Sequence, residues 1–282
     1  YILRNGSEIR KKFEFETQQT VGSNGLFNSY NAIGGKNEKI HYYGFFDHRN
    51  ADGYRNNSSY FTNSGYGTFT YHINKKLKVT TELMRSHIRS QQPGGLTDSQ
   101  LQQDVKQSYR SRNWFDITWT TAAIIANYEF NEHARMNVKV FGIFGNRNSV
   151  GYLPAGGISI GDTINHSTHQ YNARNVNADK YRNAGMEARF ISDYQVFHTK
   201  QTVSAGIRIY KGTTYRYAAD GKGTTGTGHD MRLTDDTWNR DIDFNTTNLA
   251  AFAENIFRVC KKFLVIPGIR YEYITGNAGG RN

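Results

Sequence analysis

Residues Met186–Tyr194 read MEARFISDY. Met186, Ala188, Phe190 and Tyr194 share one parity with Ser192, while Glu187, Arg189 and Asp193 share the other, with Ile191 as the exception. Successive side chains of a strand point to opposite faces, so this alternation predicts a strand with one apolar and one charged face. Parity alone leaves two arrangements open. Either the charged face meets outer water around an apolar core, or it lines an enclosed wet lumen and the apolar face meets lipid. The segments on either side decide between them.

The same alternation repeats along the chain. Phe13 and Phe15 oppose Lys12, Glu14 and Glu16; Val79, Thr81 and Leu83 oppose Lys78, Thr80 and Glu82. Ala122, Ile124, Ala126, Tyr128 and Phe130 share a parity. Val203, Ala205, Ile207 and Ile209 oppose Ser204, Arg208 and Tyr210, and Ile269, Tyr271 and Tyr273 oppose Arg270 and Glu272. Parity and turn residues together predict eleven strands, near 11–21, 26–34, 39–49, 60–73, 77–89, 114–130, 135–148, 180–196, 201–217, 244–259 and 263–275. Many are far longer than the five or six residues usual in soluble sheets.

The connections are sorted by length. Short turns fall at 35–38, 74–76, 131–134, 197–200 and 260–262, and long connections at 50–59, 90–113, 149–179 and 218–243. After the first hairpin the two kinds alternate, so an antiparallel meander puts every short turn at one end and every long loop at the other. A sandwich has no reason to do this. Outer-membrane barrels do, with short periplasmic turns and long extracellular loops. A lipid-facing Arg or Lys near the midplane costs about 2–4 kcal/mol, which keeping charges to one parity avoids. Loop sorting and strand length therefore turn the apolar parity of MEARFISDY to lipid and its charges to a lumen, with Tyr194 near the periplasmic girdle. Ile191 is left to pack among lumen side chains. The predicted fold is all-β, an antiparallel up-and-down transmembrane β-barrel. Two local features interrupt it: a short helix at Leu96–Val105, capped by Thr97 or Asp98 after Pro93-Gly94-Gly95, and a bulge at Pro267, since proline removes a ladder donor.

Composition agrees. The 282 residues are 14% aromatic, against the low aromatic content of disordered chains. No apolar run approaches the roughly 20 residues of a membrane helix; Ala122–Ala126 is typical of the longest. The net charge of +11 would suit nucleic acid, anionic lipid headgroups or an anionic ligand. The charges are spread along alternating strands with no nucleic-acid motif, so nucleic acid is not an expected partner. Cys260 is the one cysteine, which excludes an intramolecular disulfide framework. The chain opens on YILRNG without Met and stops in the turn-like GNAGGRN, which reads as a piece cut at both ends.

Several stretches resemble TonB-dependent outer-membrane receptors. YILRNG resembles the end of their plug and its exit into the barrel, and TVGSNGLFNSYNAIGG their first barrel hairpin. FFDHRNADGYRNNSSY is similar to the segment where the third strand rises into a loop. LTDSQLQQD, RSRNWFDITWTTAAIIANYEF and FGIFGNRNSVGY resemble the ferric-citrate-receptor-like branch. NLAAFAENIFRV and FLVIPGIRYEYITG are similar to a widely shared later strand pair, with Gly268 and Arg270 at its motif positions. The resemblance implies about eleven strands of a 22-stranded plugged barrel. Residues 1–8 would then be the end of the plug and 9–282 a partial barrel. It implies active import of a ferric chelate, citrate-like or another siderophore, bound as cargo with no cofactor. The implied partners are the chelate, the protein's own plug, TonB through a missing N-terminal region, and outer-membrane lipid with lipopolysaccharide. The location would be the bacterial outer membrane, integral. The alternatives are a passive porin or adhesin barrel, or import of another nutrient such as haem.

No catalytic motif occurs: no G-x-S-x-G, H-E-x-x-H, P-loop or C-x-x-C. An enzyme is therefore not expected. Asp235-Asp236 reads as a solvated loop pair, and His166 and His169 in HSTH as loop histidines without a third ligand. An anionic chelate calls for arginine, whose planar fork binds carboxylates bidentately. The candidates are Arg89, Arg110, Arg112, Arg147, Arg182 and Arg216, expected where lumen-facing parity meets the long loops. Asn113, Trp114, Asn148 and Tyr152 are expected to complete the surface.

Overall fold

The computed structural model describes residues 6, 8–154, 157, 160–196, 199–260 and 262–282. Most of the expected plug remnant, 1–5 and 7, lies outside the described residues. The strands are β1 (Glu14–Gly22), β2 (Leu26–Lys36), β3 (Ile40–Ala51), β4 (Tyr60–His72), β5 (Leu77–Gln91), β6 (Trp114–Glu129) and β7 (Ala134–Gly151). After β8 (Ile164–Asn165) and β9 (Gln170–Tyr171) come β10 (Arg174–Val196), β11 (Thr199–Gly223), β12 (Arg240–Cys260), β13 (Phe263–Val265) and β14 (Gly268–Arg281). The one helix among the described residues, α1 (Asp98–Gln103), carries a capping box: Thr97 accepts from the Gln100 N–H, and the Gln100 side chain accepts from the Thr97 N–H.

All strands except β8 and β9 join one antiparallel sheet in chain order from β1 to β12, which then pairs β13 and β14. With β13 and β14 as one interrupted strand, the wall has the eleven expected positions. One device recurs at the short-turn end. The side-chain oxygens of Asn37, Asn74 and Asn131 accept the backbone N–H groups two and three residues on, at 2.8–2.9 Å. These are Asx turns, which fix the chain reversal without a long loop. At the other end the β1–β2 hairpin turns through Asn24 and Gly25, both at positive φ, as a turn matching strand twist requires.

The structure corrects several boundaries. β10 begins at Arg174 rather than 180, β11 runs to Gly223 rather than 217, and β12 starts at Arg240 rather than 244. The long loops there shrink to 152–173 and 224–239. Asn175, Asn177, Asp220 and Gly221 read as loop residues because they disfavour strands. A paired neighbour overrides that weak preference: Val176 opposes Ala219 and Asn177 opposes Ala218. β1 starts at Glu14 rather than 11, because the Glu14 carboxylate accepts the N–H groups of Arg10 and Lys11 and turns the chain. Lys200, expected in a turn, belongs to β11. Pro267 makes no bulge. Its carbonyl accepts the Asn255 N–H at 3.0 Å, and the register of Phe257 with Val265 continues as Glu254 with Gly268. One ladder bond is lost and nothing slips; the irregularity lies between Arg258 and Cys260.

The ladder separates two faces. Met186 opposes Val140 and Ile209, while Glu187 opposes Lys139 and Arg208. Ile191 falls on the charged face, opposite Arg135 and Ser204. The apolar face carries Phe46, Leu83, Ile124, Val140, Ile207 and Ile269, each about half exposed or more. A soluble monomer rarely shows an apolar patch beyond a few hundred Å². The small apolar core among the described residues sits on the charged face, where Ile9 packs on Ala32 and Tyr43, flanked by Tyr30, Phe45 and Tyr66. Ile9 lies so close that a Cβ on Gly34 would stand 1.9 Å from its Cδ1. His41 Nε2 meets the Gly6 carbonyl at 2.8 Å, a second anchor of this lead-in segment.

Candidate functional site

At the long-loop end of the charged face, Asp179 of β10 stands between Arg147 of β7 and Arg216 of β11 in the ladder. Arg147 Nη1 is 3.7 Å from one carboxylate oxygen, and Arg216 Nε donates to the other at 3.2 Å. The Tyr181 hydroxyl donates to Asp179 as well. Two cations share one anion, so the trio keeps a net positive charge. The Asp179 side chain is 5% exposed, whereas those of Arg147 and Arg216 are 45% and 49% exposed. Arg147 lies 5.2 Å above the Phe115 ring and Arg216 6.0 Å above that of Phe244. Stacking of this kind holds a guanidinium plane while leaving N–H edges open. On the loop side, Phe115, Ser149, Leu153, Asn175 and Asn177 line a cavity of about 330 Å³. The arrangement offers charge-assisted donors for an anion beside neutral hydrogen-bonding groups.

A second arginine cluster lies in the loops. Arg112 and Arg174 are both fully buried. Arg112 binds Asp162 through Nε and Nη2, each at 2.7 Å, and donates further to the carbonyls of Thr225, Gly226 and Asn172. Its guanidinium lies 4.3 Å from the centre of the Tyr171 ring. Arg174 donates to the carbonyls of Thr224, Gly228 and Arg112, to the Thr224 hydroxyl, and to Asp230. Every N–H of both guanidiniums is thus satisfied. Burial pulls the Arg174 pKa down; Asp230 raises it again without cancelling the effect. Burial pulls Asp230 up, but Arg174, Arg232 and Thr224 together hold it below the ordinary carboxylate range. The cluster ties the β5–β6, β7–β10 and β11–β12 connections into one clasp.

The six expected arginines, with Asn113, Trp114 and Asn148, divide three ways. Arg147 and Arg216 come together at the trio. Four others serve the clasp. Arg110 is buried and donates to the carbonyls of Tyr109, Gly157 and Ile160. Arg112 is spent as described. Asn113 clamps both backbone polar groups of Tyr152, and Trp114 donates to the Thr227 carbonyl. The remaining three are corrections: Arg89, Asn148 and Arg182 have the parity of the apolar face. Arg89 shares that of Leu83 and pairs with Asp116 at 2.8 Å; Asn148 also opposes Asp116, and Arg182 opposes Phe144. Asp179, Tyr181, Phe115 and Phe244 were missed as site residues. Counting parity back from Glu187 puts Asp179 and Tyr181 on the charged face. His166 and His169 lie at the β8–β9 hairpin turn, where the His169 N–H donates to the Asn165 carbonyl.

The chain matches no protein-family model and no curated protein sequence. Solved structures do share its fold. The ferric citrate transporter FecA in its unliganded form is 16% identical, with a TM-score of 0.76 over 96% of this chain and 39% of that one. The ferripyoverdine receptor of the outer membrane of Pseudomonas aeruginosa, bound to ferripyoverdine, is 10% identical, with a TM-score of 0.77 over 98% of this chain and 39% of that one. The alcaligin outer-membrane receptor FauA from Bordetella pertussis is 11% identical, with a TM-score of 0.69 over 97% of this chain and 38% of that one. The chain therefore spans well under half the length of the proteins it resembles. Its fold is that of a part of the barrel wall of TonB-dependent outer-membrane receptors.

Proposed function

We propose that the chain forms part of the wall of a TonB-dependent receptor that imports a ferric chelate across the bacterial outer membrane. The apolar face meets lipid, and the charged face lines a lumen filled by a plug that leads into the wall through the segment at Ile9. The trio of Arg147, Asp179 and Arg216 carries the ligand side of this reading. Two half-exposed arginines with, among the described residues, one carboxylate between them suit an anionic chelate, and they lie where an incoming ligand would first meet the wall. The adjoining Ser149, Asn175 and Asn177 suit a ligand that also carries hydroxyl or amide groups, as citrate-like and other carboxylate siderophores do. Energy would arrive through TonB from outside this segment.

The test is growth of a deletion strain on single defined ferric sources, complemented by the intact receptor or by Arg147→Ala and Arg216→Ala variants. One anionic source is expected to require the receptor, with uptake reduced in each variant. If the deletion leaves growth on every ferric source unchanged, iron import is wrong. If only the variants are silent, the trio is not the ligand site.

A further inference from the structure

At β1 and β2 the apolar face has a polar interruption. On that face β1 shows Phe15, Thr17, Gln19 and Val21, and β2 shows Phe27, Ser29, Asn31 and Ile33. The ladder sets Phe15 against Ile33, Thr17 against Asn31, Gln19 against Ser29 and Val21 against Phe27. Asn31 in turn stands opposite Phe46 of β3, which fixes the face. β1 is nine residues long, the length of one tilted membrane crossing, and Thr17 and Gln19 fall near its middle. Apolar rows therefore flank the four polar side chains above and below. Near their own middles β5, β6 and β7 show Leu83, Ile124 and Val140 instead.

The four side chains bond one another without satisfying one another. Thr17 donates to the Asn31 carbonyl oxygen at 2.8 Å, Gln19 donates to the Thr17 hydroxyl at 2.9 Å, and Asn31 donates to the Ser29 hydroxyl at 2.9 Å. Among the described residues nothing donates to the Gln19 side-chain oxygen, and the second Asn31 amide hydrogen and the Ser29 hydroxyl hydrogen find no acceptor. Beside the cluster the wall is bare. Gly65 lies opposite Phe46 and Gly67 opposite Gly44. A Cβ at Gly67 would meet nothing within 4 Å, and one at Gly65 nothing nearer than 3.9 Å. Bare strand of this kind lets another backbone come close.

We infer that the outer face of β1–β4 is an interface inside the membrane and that a second copy of this protein occupies it. Hydrocarbon offers an amide no partner, so polar groups at that depth are met by protein. The open set is self-complementary: Asn31 and Ser29 of one copy can donate to Gln19 of the other, and a twofold axis repeats the contact in reverse. This rests on the reading that the apolar face meets lipid. The test uses the intact receptor in liposomes at falling protein-to-lipid ratio. Val21→Cys, in a background lacking Cys260 and any other cysteine, is expected to join two copies through a short bismaleimide at every ratio. Ile207→Cys, on the same face of β11, should give cross-links that vanish on dilution. Energy transfer between labelled copies should show Gln19→Leu/Asn31→Leu dimerising about tenfold more weakly or worse, since reciprocal hydrogen bonds are lost. That variant is more apolar than the wild type, so insertion is spared. Equal dimerisation by the inserted double variant would overturn the interface, as would cross-linking at Val21→Cys no better than at Ile207→Cys. A Val21→Cys cross-link in intact cells that joins the receptor only to a different protein would overturn the second copy as occupant. Failure of the wild type to insert into liposomes would instead overturn the lipid-facing reading.

Discussion

Arg112, in the β5–β6 connection, and Arg147, on β7, lie at the same end of the sheet, yet one is fully buried and the other is 45% exposed in its side chain. Arg112 and its neighbour Arg174 have spent every donor on Asp162, Asp230, the Thr224 hydroxyl and main-chain carbonyls. Arg147 and Arg216 share a single carboxylate and keep free edges over aromatic rings. An arginine wrapped by its own loops holds structure, whereas one that outnumbers its acids on an open wall can take a ligand.

The sharpest way to break this contrast is Arg112→Ala. It strands Asp162, whose side chain is 1% exposed, without its partner. Losing one member of a buried pair costs about 3–5 kcal/mol. Loops 152–173 and 224–239 should become sensitive to protease, with a matching fall in thermal stability. An unchanged protein would remove the clasp.

Arg147→Ala or Arg216→Ala should lower affinity for an anionic chelate about tenfold, the scale of one charged hydrogen bond, and leave protease resistance alone. Asp179→Asn should act the other way. Removing the shared carboxylate frees both guanidiniums, so affinity measured by direct binding should rise severalfold. A fall in affinity would mean that Asp179 orients the arginines rather than competing for them.

Thr97→Ala should cost α1 about 1 kcal/mol. Faster amide exchange in Asp98–Gln103, with ligand affinity unchanged, would separate this local cap from the ligand site. The smallest effect concerns acid. The Asp230 pKa is depressed in the folded loops, so its contribution is complete above the ordinary carboxylate pKa of about 4 and is lost as pH falls below it. Limited proteolysis at decreasing pH should show the 224–239 loop loosening first. Asp230→Asn should abolish that dependence.

Much of the fold was legible because strand parity and turn chemistry are local. The Asx turns at Asn37, Asn74 and Asn131 are set by residues two and three positions away. The facing of Arg89 and Arg182 was legible too: each shares the parity of a clear apolar neighbour, Leu83 and Met186, and the count need only be carried through the strand. Asp179 was lost because weak strand formers around Asn175 and Asn177 disguised the upper part of β10.

The sequence by itself determined a long-stranded antiparallel meander, its two chemically opposite faces and the sorting of its loops. Each follows from backbone geometry that repeats every second residue. Only the tertiary structure decided which arginines are free. Arg112 meets Asp162 fifty residues on and Thr225 more than a hundred residues on. Those partners meet only when three long loops close over the same end of the sheet, and no local pattern records that closure.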